Sequence, residues 1–535
     1  MGYFTTTQLF LDIPTRLDVK ESQKIDKFLT LLDDSKVGEN IAKYIKNDTK
    51  KGGRPNVNYY RLFATTLYAF AFSKATLRQI EDLCKFDLRY KYLMRNETPT
   101  FSTIGKFIDK VIYPEREDLF SKIIKCICDK MNISTKTIYI DGTKFEANAN
   151  KYKFVWKPLT YHERISKSCC VLINKYNLLE NSVDEKYISS KTIGYAISHI
   201  KEKNLSSKES KNLMKALNNM LLKVIEYEEK EQLCGPNRNS YYKTDKDATA
   251  MCLKADYYSG LGSNMHAAYN IQVGICEGIP VSYLCTQSRA DLHDFIDVLD
   301  KFYNIFGYYP ANVAADAGYG SLENYKFMKE HNIKSFVKYQ TREGNVTGRY
   351  PECYRLDEDG KYVCLNNVIG QTVKLDNRHP KKANSVFIKF EGCLSCDFMP
   401  YCKRYTRNLD EDFKIFEAVE EFIKLKQESE NNLLSKEGIE IRVNRSIQAE
   451  GVYGDLKQNY SFTRFRRRGM EEVTSEIMLH LLGYAIRKQF RFFETDKKSN
   501  FWSAPSDLEP EKFKKPSAKR LAKKGSKQRH KQFKD

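Results

Sequence analysis

Residues 134–152 read STKTIYIDGTKFEANANKY and decide how the rest of the chain is interpreted. The short apolar run at 138–140 predicts a buried strand that ends on Asp141, and Gly142 would then let the backbone turn. A buried acid is costly unless something compensates its charge, and a metal ion is the usual compensator. A capping or turn aspartate is the alternative interpretation of Asp141 taken by itself.

Two later segments carry acids in comparable positions. The stretch NVAADAGY (312–319) repeats an apolar run that is followed by Asp316 and then by a glycine. In NRSIQAEGVYGDLKQNYSF (444–462), Glu450 lies in a pattern typical of a helix. The order Asp, Asp, Glu resembles the metal-binding set of ribonuclease-H-like polynucleotidyl transferases. Because all three ligands are oxygens, a hard ion such as Mg²⁺ or Mn²⁺ is expected.

Three motifs make the resemblance specific. DGTKFEANANKYKFVWK (141–157), ADAGYGSLENY (315–325) and NRSIQAEGVYGDLK (444–457) resemble the catalytic motifs of DDE transposases from bacterial insertion sequences. The best-fitting family is the eleven-eighty-two family, within the group that carries a β-rich insertion before the glutamate. The resemblance implies that Asp141, Asp316 and Glu450 hold two Mg²⁺ or Mn²⁺ ions, with Asp141 bridging them. It also implies DNA cleavage at the element's ends and strand transfer, by a cut-and-paste route.

The resemblance and the residue patterns together predict an α/β fold. We expect a ribonuclease-H-like core that two insertions interrupt and an all-helical domain precedes. The predicted segments are an N-terminal arm (1–50), a helical DNA-binding domain (51–130), the first part of the core (131–156), a charged helical insertion (157–240), the second part of the core (241–340), a β-rich cysteine-containing insertion (341–410), the catalytic-glutamate helix with C-terminal core helices (411–495) and a basic disordered tail (496–535).

Charge and hydropathy narrow the class of partner. The net charge of +20 is typical of proteins that bind polyanions, although basic ribosomal and membrane-surface proteins share it. No apolar run approaches the ~20 residues of a membrane span, and no secretory pattern opens the chain. We therefore expect a bacterial cytoplasmic, nucleoid-associated protein that does not bind membranes. Because two element ends must be held, a homodimer or larger assembly on double-stranded DNA is expected.

Basic residues near the predicted glutamate helix are candidates for DNA contacts. Lys457 lies seven residues after Glu450 and on the same helical face, as in the Tyr-Arg-Glu-Lys motif of the wider group. The Tyr and Arg positions of that motif hold Val443 and Ser446, and Arg445 lies one residue out of register. A surface pairing of Glu450 with Lys457 is the competing interpretation.

Two further basic regions complete the predicted DNA interface. The run TRFRRRG (463–469) is expected to follow the DNA backbone, and the helical N-terminal domain is expected to hold the element's ends. A solvated charge run and a helical packing domain are the respective alternatives. The predicted DNA contacts are those of Lys457, Arg445, Arg464, Arg466, Arg467, Arg468, Arg54 and Arg78.

A cysteine cluster in the β-rich insertion predicts a structural Zn²⁺ site. The candidate ligands are Cys364, Cys393, Cys396 and Cys402, with Cys353 as a spare. The alternative is a set of reduced cysteines, since the cluster contains a single CxxC pair.

The sequence also predicts the positions or roles of several other residues. Asn270 and Gln272 share one face of a predicted strand, and the resemblance makes them candidate neighbours of the active site, with solvated strand residues as the alternative. Asp291 is interpreted as a helix-start acid and not as a catalytic residue. Trp156 either stacks on a flipped base or lies in the core, and His480 is expected to be structural.

Two other functions are compatible with these motifs. A DNA-binding protein derived from a transposase could retain the acids without catalysis, and a nuclease of the same fold could cut DNA without joining it. The complete Asp, Asp, Glu set favours the transposase.

Overall fold

The computed structural model describes residues 19–45, 57–179, 183–202, 206–236, 238–253, 264–341, 354–374, 384–403, 406 and 409–494. Arg54, Cys353 and the predicted tail 496–535 lie outside the described residues. Within the described part, no helix combines the length and the apolar character that crossing a membrane requires.

The secondary structure is mixed. The strands are β1 (Thr137–Glu146), β2 (Phe154–Trp156), β3 (Ser240–Tyr242), β4 (Thr249–Met251), β5 (His266–Cys276), β6 (Ile279–Thr286), β7 (Asn312–Ala315), β8 (Lys334–Val337), β9 (Arg355–Leu356), β10 (Tyr362–Val363), β11 (Gln371–Val373), β12 (Ser385–Glu391) and β13 (Phe413–Val419). The helices are α1 (Val19–Asp34), α2 (Gly38–Ala42), α3 (Tyr59–Phe72), α4 (Leu77–Phe86), α5 (Leu88–Met94), α6 (Phe101–Phe107), α7 (Tyr113–Met131), α8 (Leu159–Lys175), α9 (Ser190–Ser198), α10 (Ser207–Cys234), α11 (Phe295–Phe306), α12 (Leu322–Glu330), α13 (Met399–Cys402), α14 (Glu420–Leu434), α15 (Lys436–Gly454) and α16 (Met470–Glu494). The predicted α/β class is confirmed.

A six-stranded sheet positions the candidate site. β1 is central: it pairs antiparallel with β5 on one side and parallel with β7 on the other, and β8 continues the sheet in parallel beyond β7. β4 and β6 pair with successive parts of the outer edge of β5. β5 is buried along almost its whole length, as expected for a strand covered on both faces.

The interpretation of Asp141 as a strand-end residue is wrong in one respect. β1 continues to Glu146 and pairs with β5 through that residue, so Gly142 is an extended strand residue and makes no turn. β7, however, ends at Ala315, and its pairing with β1 ends at Tyr139. At Asp141, β1 is therefore still paired with β5 on one side but no longer paired with β7 on the other.

The N-terminal helices share one hydrophobic core with the sheet. Buried residues of α1 to α7, of the sheet strands and of α16 belong to one continuous cluster, and α16 packs against α3, α7 and β6. Helix α4 begins with the predicted capping box, in which Thr76 and Gln79 each accept a hydrogen bond from the other's backbone N–H. The N-terminal helices are thus held directly against the core.

The segment at 157–240 has a small core of its own. Three helices, α8, α9 and α10, occupy the segment for which a charged helical insertion was predicted. Helix α10 starts at a capping box between Ser206 and Glu209. The buried cluster of the whole segment is formed by Cys169, Ile173, Leu178, Ile188, Ile193, Ala196, Ile200, Leu213, Leu217 and Val224.

A second small core lies in the β-rich segment. Tyr354 stacks on Phe390, and its ring centre is 4.7 Å from that of Phe416. The segment 411–495, for which helices were predicted, begins with a strand, because residues up to Val419 form β13 and α14 begins at Glu420. Burial alternates residue by residue along β13, which is the period of a strand covered on one face.

The crossing of α16 over α3 generates a test of the shared core. A Cβ added at Gly483 would lie 2.7 Å from Phe70 O and 3.1 Å from Ala71 N, both backbone atoms. We expect Gly483→Ala to lower the free energy of unfolding by about 1–3 kcal/mol, because the two helices must separate. Gly194→Ala in α9 is the matched control: its Cβ would meet nothing within 4 Å, so up to about 1 kcal/mol of stabilisation is expected. Urea unfolding measures both, and an unchanged midpoint for Gly483→Ala would contradict the crossing.

Candidate active site

Asp141 and Asp316 are neighbours across the β1–β7 pair. The parallel register matches Tyr139 with Ala314, so the positions two residues further on are Asp141 and Asp316. Residues at matching positions of parallel strands point to the same face of the sheet. Asp316 also caps the turn at 317–319, where Oδ1 accepts a hydrogen bond from Gly318 N at 2.8 Å. The structure thus brings together the two predicted strand aspartates.

The surroundings of Asp141 disfavour its ionised form. Burial raises the pKa of this carboxyl to about 6, and the negative charges of Asp316 and Asp291 act in the same direction. Arg445 opposes the shift, with Nη1 3.8 Å from Asp141 Oδ1. A carboxylate that is buried beside other carboxylates is stabilised by a bound cation. This donor set of hard oxygens therefore fits Mg²⁺ or Mn²⁺.

Asp291 belongs to the same acidic group, although the sequence analysis set it aside. Its Oδ1 accepts hydrogen bonds from Asn270 Nδ2 at 2.7 Å and from Gln272 Nε2 at 2.6 Å. A Cβ added at Gly318 would lie 2.9 Å from Asp316 Oδ1 and 3.8 Å from Asp291 Oδ2, so both carboxylates face one small space. The prediction that Asn270 and Gln272 adjoin the active site agrees with this arrangement.

A glycine is required at position 142 because other side chains lie close to the backbone there. A Cβ at this position would lie 2.6 Å from the Gln272 amide and 2.8 Å from Asp291 Oδ1. Any side chain would displace the amide–carboxylate pair that lies against β1. The glycine after Asp141 therefore makes room for Asp291, a role that the motif itself does not reveal.

Helix α15 crosses β1 beside Asp141. The Tyr453 hydroxyl donates to the backbone oxygen of Asp141 at 2.7 Å and to Ile271 O at 3.3 Å. Glu450, one turn earlier, is exposed, and no hydrogen bond or ion pair from a described residue reaches its carboxylate. Among the described residues, no three His, Cys, Asp or Glu side chains are placed to hold a metal ion together. Asp141 and Asp316 are thus paired, and the part assigned to Glu450 stays a prediction.

Lys457 lies against β1. It belongs to a π-helical turn, Asp455–Asn459, which changes the helical phase after α15. Its Nζ donates to Thr143 Oγ1 at 2.7 Å and to Lys144 O at 3.1 Å. The ammonium group is therefore fixed two residues beyond Asp141, and contact with a phosphate stays a prediction.

The arginines of 463–469 differ in their surroundings. Arg464 donates to the backbone oxygens of Ala147 and Ala149 at 3.2 Å, and Arg468 to Asn148 O at 2.8 Å. These bonds attach the segment to the chain that follows β1. The Arg467 guanidinium is mostly buried and forms ion pairs with Asp109 and Glu472, an arrangement that favours a structural role.

Among the predicted DNA contacts, Arg466 and Arg78 are exposed, as Arg464 and Arg468 are. Arg466 is exposed, and its backbone N–H donates to Glu476. Arg78 is exposed on α4, with its guanidinium over the ring of Phe101. Both remain candidates for DNA contact.

The four predicted zinc ligands lie near one another. Burial raises the pKa of Cys393, and the neighbouring Cys402, Cys396 and Cys364 act in the same direction. Lys414 Nζ lies 3.1 Å from Cys402 Sγ. The described cysteines are nevertheless not placed to hold a metal ion together.

The exposure of Trp156 and the burial of His480 bear on the roles predicted for these two residues. Trp156 is 49% exposed, so the interpretation as a core tryptophan is wrong; the guanidinium of Arg289 lies over its ring at 5.8 Å. His480 is buried, stacks on Phe462 at 3.8 Å and meets the ring of Phe70 edge-on. Burial lowers the pKa of His480 to about 3, which agrees with the expected structural role.

The raised pKa of Asp141 predicts a pH-dependent stability. The carboxyl titrates near 3.8 when unfolded and near 6 when folded, so its destabilising effect appears as pH rises from about 4 through 6. Without metal ions, we expect Asp141→Asn to be more stable than wild type by up to about 3 kcal/mol at about pH 7.5, and the difference to vanish near pH 4. Urea unfolding in EDTA measures this. The exposed Glu450→Gln is the control, expected to show no such pH-dependent gain; a variant less stable than wild type at the higher pH would refute the prediction.

Two family models match the chain. The model described as "Transposase domain (DUF772)" matches residues 16–110, where α1 to α6 lie. The model described as "Transposase DDE domain" matches residues 363–490, which include Glu450, whereas Asp141 and Asp316 lie outside both matches. No curated protein and no solved structure matches the chain. The two matches confirm the resemblance at the level of the broad family: two separate segments of the chain match transposase domains, one of which is a DDE domain.

Proposed function

We propose that the protein is a transposase that cuts DNA at the ends of an insertion sequence and joins the freed 3′ ends to other DNA. The observation that carries this proposal is the proximity of Asp141 on β1 to Asp316, which directly follows the parallel strand β7, in a chain that matches two transposase domains. A DDE transposase domain implies a polynucleotidyl transferase in general. Strand cleavage, strand transfer and the cut-and-paste route are the specific proposals.

The sheet supports a ribonuclease-H-like core. Followed through β6, the strand order is β6-β5-β1-β7-β8, with three antiparallel strands and then two parallel ones, and the short strand β4 pairs with the remaining part of β5. This is the arrangement expected of that core, with the first acid on its central strand and the second after the adjacent parallel strand. The helices at 159–234 and the strands at 355–419 then occupy two insertions.

Each acid has a proposed part in the chemistry. When bound, divalent cations stabilise the attacking and leaving oxygens of a phosphodiester and help to activate the attacking hydroxyl group. Asp141 and Asp316 would hold a cation between β1 and β7. Glu450 would complete the ligand set only after α15 or its side chain shifts, because it is outside any three-ligand group in the described chain. Arg445 would balance the charge on Asp141 meanwhile.

The proposed partner is double-stranded DNA, both the element's ends and the target. The net charge of +20 supports a polyanion partner. A homodimer or larger assembly would hold two ends at once, and a cytoplasmic, nucleoid-associated location follows from the same role.

Cleavage of a labelled duplex that carries the element's own flanking repeat tests the proposal. In Mg²⁺ or Mn²⁺, wild type should nick the repeat end and form joined products. Asp316→Asn, which keeps an oxygen to cap the turn, should lose activity on the order of 10³-fold, and Glu450→Gln should lose a similar amount. The control is Asp359→Asn, an exposed acid in the β-rich segment.

Each other result has a defined meaning. Specific binding without cutting by wild type would favour a DNA-binding protein derived from a transposase. Cutting without joined products would favour a nuclease. Activity that survives Asp316→Asn would mean that the site is wrongly placed.

We also propose that Cys364, Cys393, Cys396 and Cys402 bind a structural Zn²⁺ after small side-chain movements. Their mutual proximity supports the proposal. Protein purified without chelators should contain about one zinc per chain. Cys396→Ser should lower that content, whereas Cys84→Ser in the N-terminal helices should not; zinc-free wild type would refute the proposal.

A further inference from the structure

An exposed aromatic face lies on the short strand β2. Phe154 and Trp156 are 44% and 49% exposed, and Tyr152, just before the strand, is 79% exposed. Side chains two residues apart on a strand share a face, and the rings of Phe154 and Trp156 meet edge-on with their centres 5.7 Å apart. Clustered exposed apolar side chains mark interaction sites more often than single ones do.

The neighbouring strand β3 and one arginine hold this face in place. β2 pairs antiparallel with β3, where Phe154 is matched with the buried Tyr242 and their ring centres are 6.4 Å apart. Trp156 is matched with Ser240. The Arg289 guanidinium lies over the Trp156 ring at 5.8 Å, and its Nη2 donates to Ser240 Oγ at 3.5 Å. The chain itself therefore fixes the positions of the exposed rings.

Arg289 connects the aromatic face to the acids of the candidate active site. It precedes Asp291 by two residues, so the Cα atoms of the two residues are at most roughly 7 Å apart. Asp291 in turn faces the same small space as Asp316. The Trp156 ring is thus separated from the acids by little more than the length of one arginine side chain.

The charge around β2 and β3 favours a polyanion as the partner of this face. Residues 147–161 contain three lysines, residues 235–244 contain an arginine and a lysine, and neither stretch contains Asp or Glu. Two copies of this surface placed against each other would bring like charges together, which disfavours a self-interface. Exposed rings beside positive charge are the combination that binds single-stranded nucleic acid, because bases stack on the rings while cations contact the backbone.

We propose that the face formed by Phe154 and Trp156 binds unpaired bases of the DNA end that the acids cut, while Arg289 contacts the adjoining phosphate. This inference rests on the proposed function. A base inside a duplex is already stacked on its neighbours, so an unpaired base is the form of DNA that the rings can bind. Stacking would hold the strand end beside the acids between cutting and joining, and it would do so with little dependence on sequence, because every base has a π-face.

Tryptophan fluorescence tests the stacking directly. The chain has two tryptophans, Trp156 and Trp502, so Trp502→Phe leaves Trp156 as the only source of the signal. In this full-length variant, a single-stranded oligonucleotide should quench the fluorescence, a fully paired duplex should quench it less, and an abasic strand of the same length should leave it unchanged. Equal quenching by the abasic strand would overturn the inference, because phosphate contact alone would then explain the signal.

Binding of a fluorescein-labelled single strand, measured by anisotropy, tests the contribution of each side chain. Trp156→Ala should weaken binding about 5- to 150-fold, whereas Trp156→Phe should retain most of the affinity because a ring remains. Arg289→Gln should also weaken binding and reduce its dependence on salt. Tyr195→Ala, which removes an exposed ring on α9, is the matched control and should bind as wild type does. Unchanged melting temperatures separate loss of stacking from loss of the fold.

The inference and the proposed function can fail separately. Cleavage of the repeat end by wild type, together with undiminished single-strand binding by Trp156→Ala, would overturn the inference alone. Quenching by single strands in a protein that neither cuts nor joins DNA would overturn the proposed chemistry alone. A changed oligomeric state of Trp156→Ala in light scattering, with unchanged DNA binding, would assign the face to a second copy of the chain and overturn the inference.

Discussion

Repulsion between the carboxylates of Asp141 and Asp316 is the constraint that the surrounding structure offsets. Asp141 lies on β1 and Asp316 directly follows the parallel strand β7, and burial of Asp141 adds to the cost of its charge. The protein reduces this cost from three directions. Arg445 reaches Asp141 from α15, Gly318 N–H donates to Asp316, and the amides of β5 hold the nearby Asp291. The strained electrostatics are typical of a site prepared for a cation.

Helix α15 and the turn after it connect this site to the N-terminal helices. Tyr453 and Lys457 both bond to β1, on either side of Gly142. The π-helical turn that carries Lys457 is held by a buried ion pair between Asp455 and Arg487 of α16. Arg487 also donates to Ala71 O at the end of α3. A movement of α15 toward the sheet would therefore involve the contacts that hold the N-terminal helices.

Local patterns located the two strand aspartates but not their environment. An apolar run followed by an acid is a local signal, and it identified Asp141 and Asp316. Gly142 was misinterpreted because the side chains that exclude a Cβ there come from β5 and from Asp291, more than a hundred residues away. Asp291 itself looked like an ordinary helix-start acid. The signal that could have found it is the pair of amides at 270 and 272, since two polar side chains on one face of a buried strand need a shared partner.

The basic run at 463–469 shows a second limit of prediction from the sequence. Charge alone could not distinguish arginines that face solvent from those that bond to backbone oxygens, as Arg464 and Arg468 do, or to acids, as Arg467 does. The decisive partners, at 147–149, 109 and 472, are mostly distant in sequence. The strand β13 shows the same limit, because the residues buried along it include Lys414 as well as Phe416 and Ala418, and the apolar residues alone do not display the alternation.

The exposed position of Glu450 follows from the same electrostatic constraint. In the absence of a cation, a further carboxylate beside Asp141 would add repulsion to a group whose charge burial already disfavours. Asp291 is tolerated there because two amides satisfy one of its oxygens, whereas no described residue offers Glu450 such donors. A bound divalent cation reverses the sign of the interaction, so that approach of Glu450 becomes favourable. In the proposed transposase, completion of the acidic triad would then be coupled to cation binding.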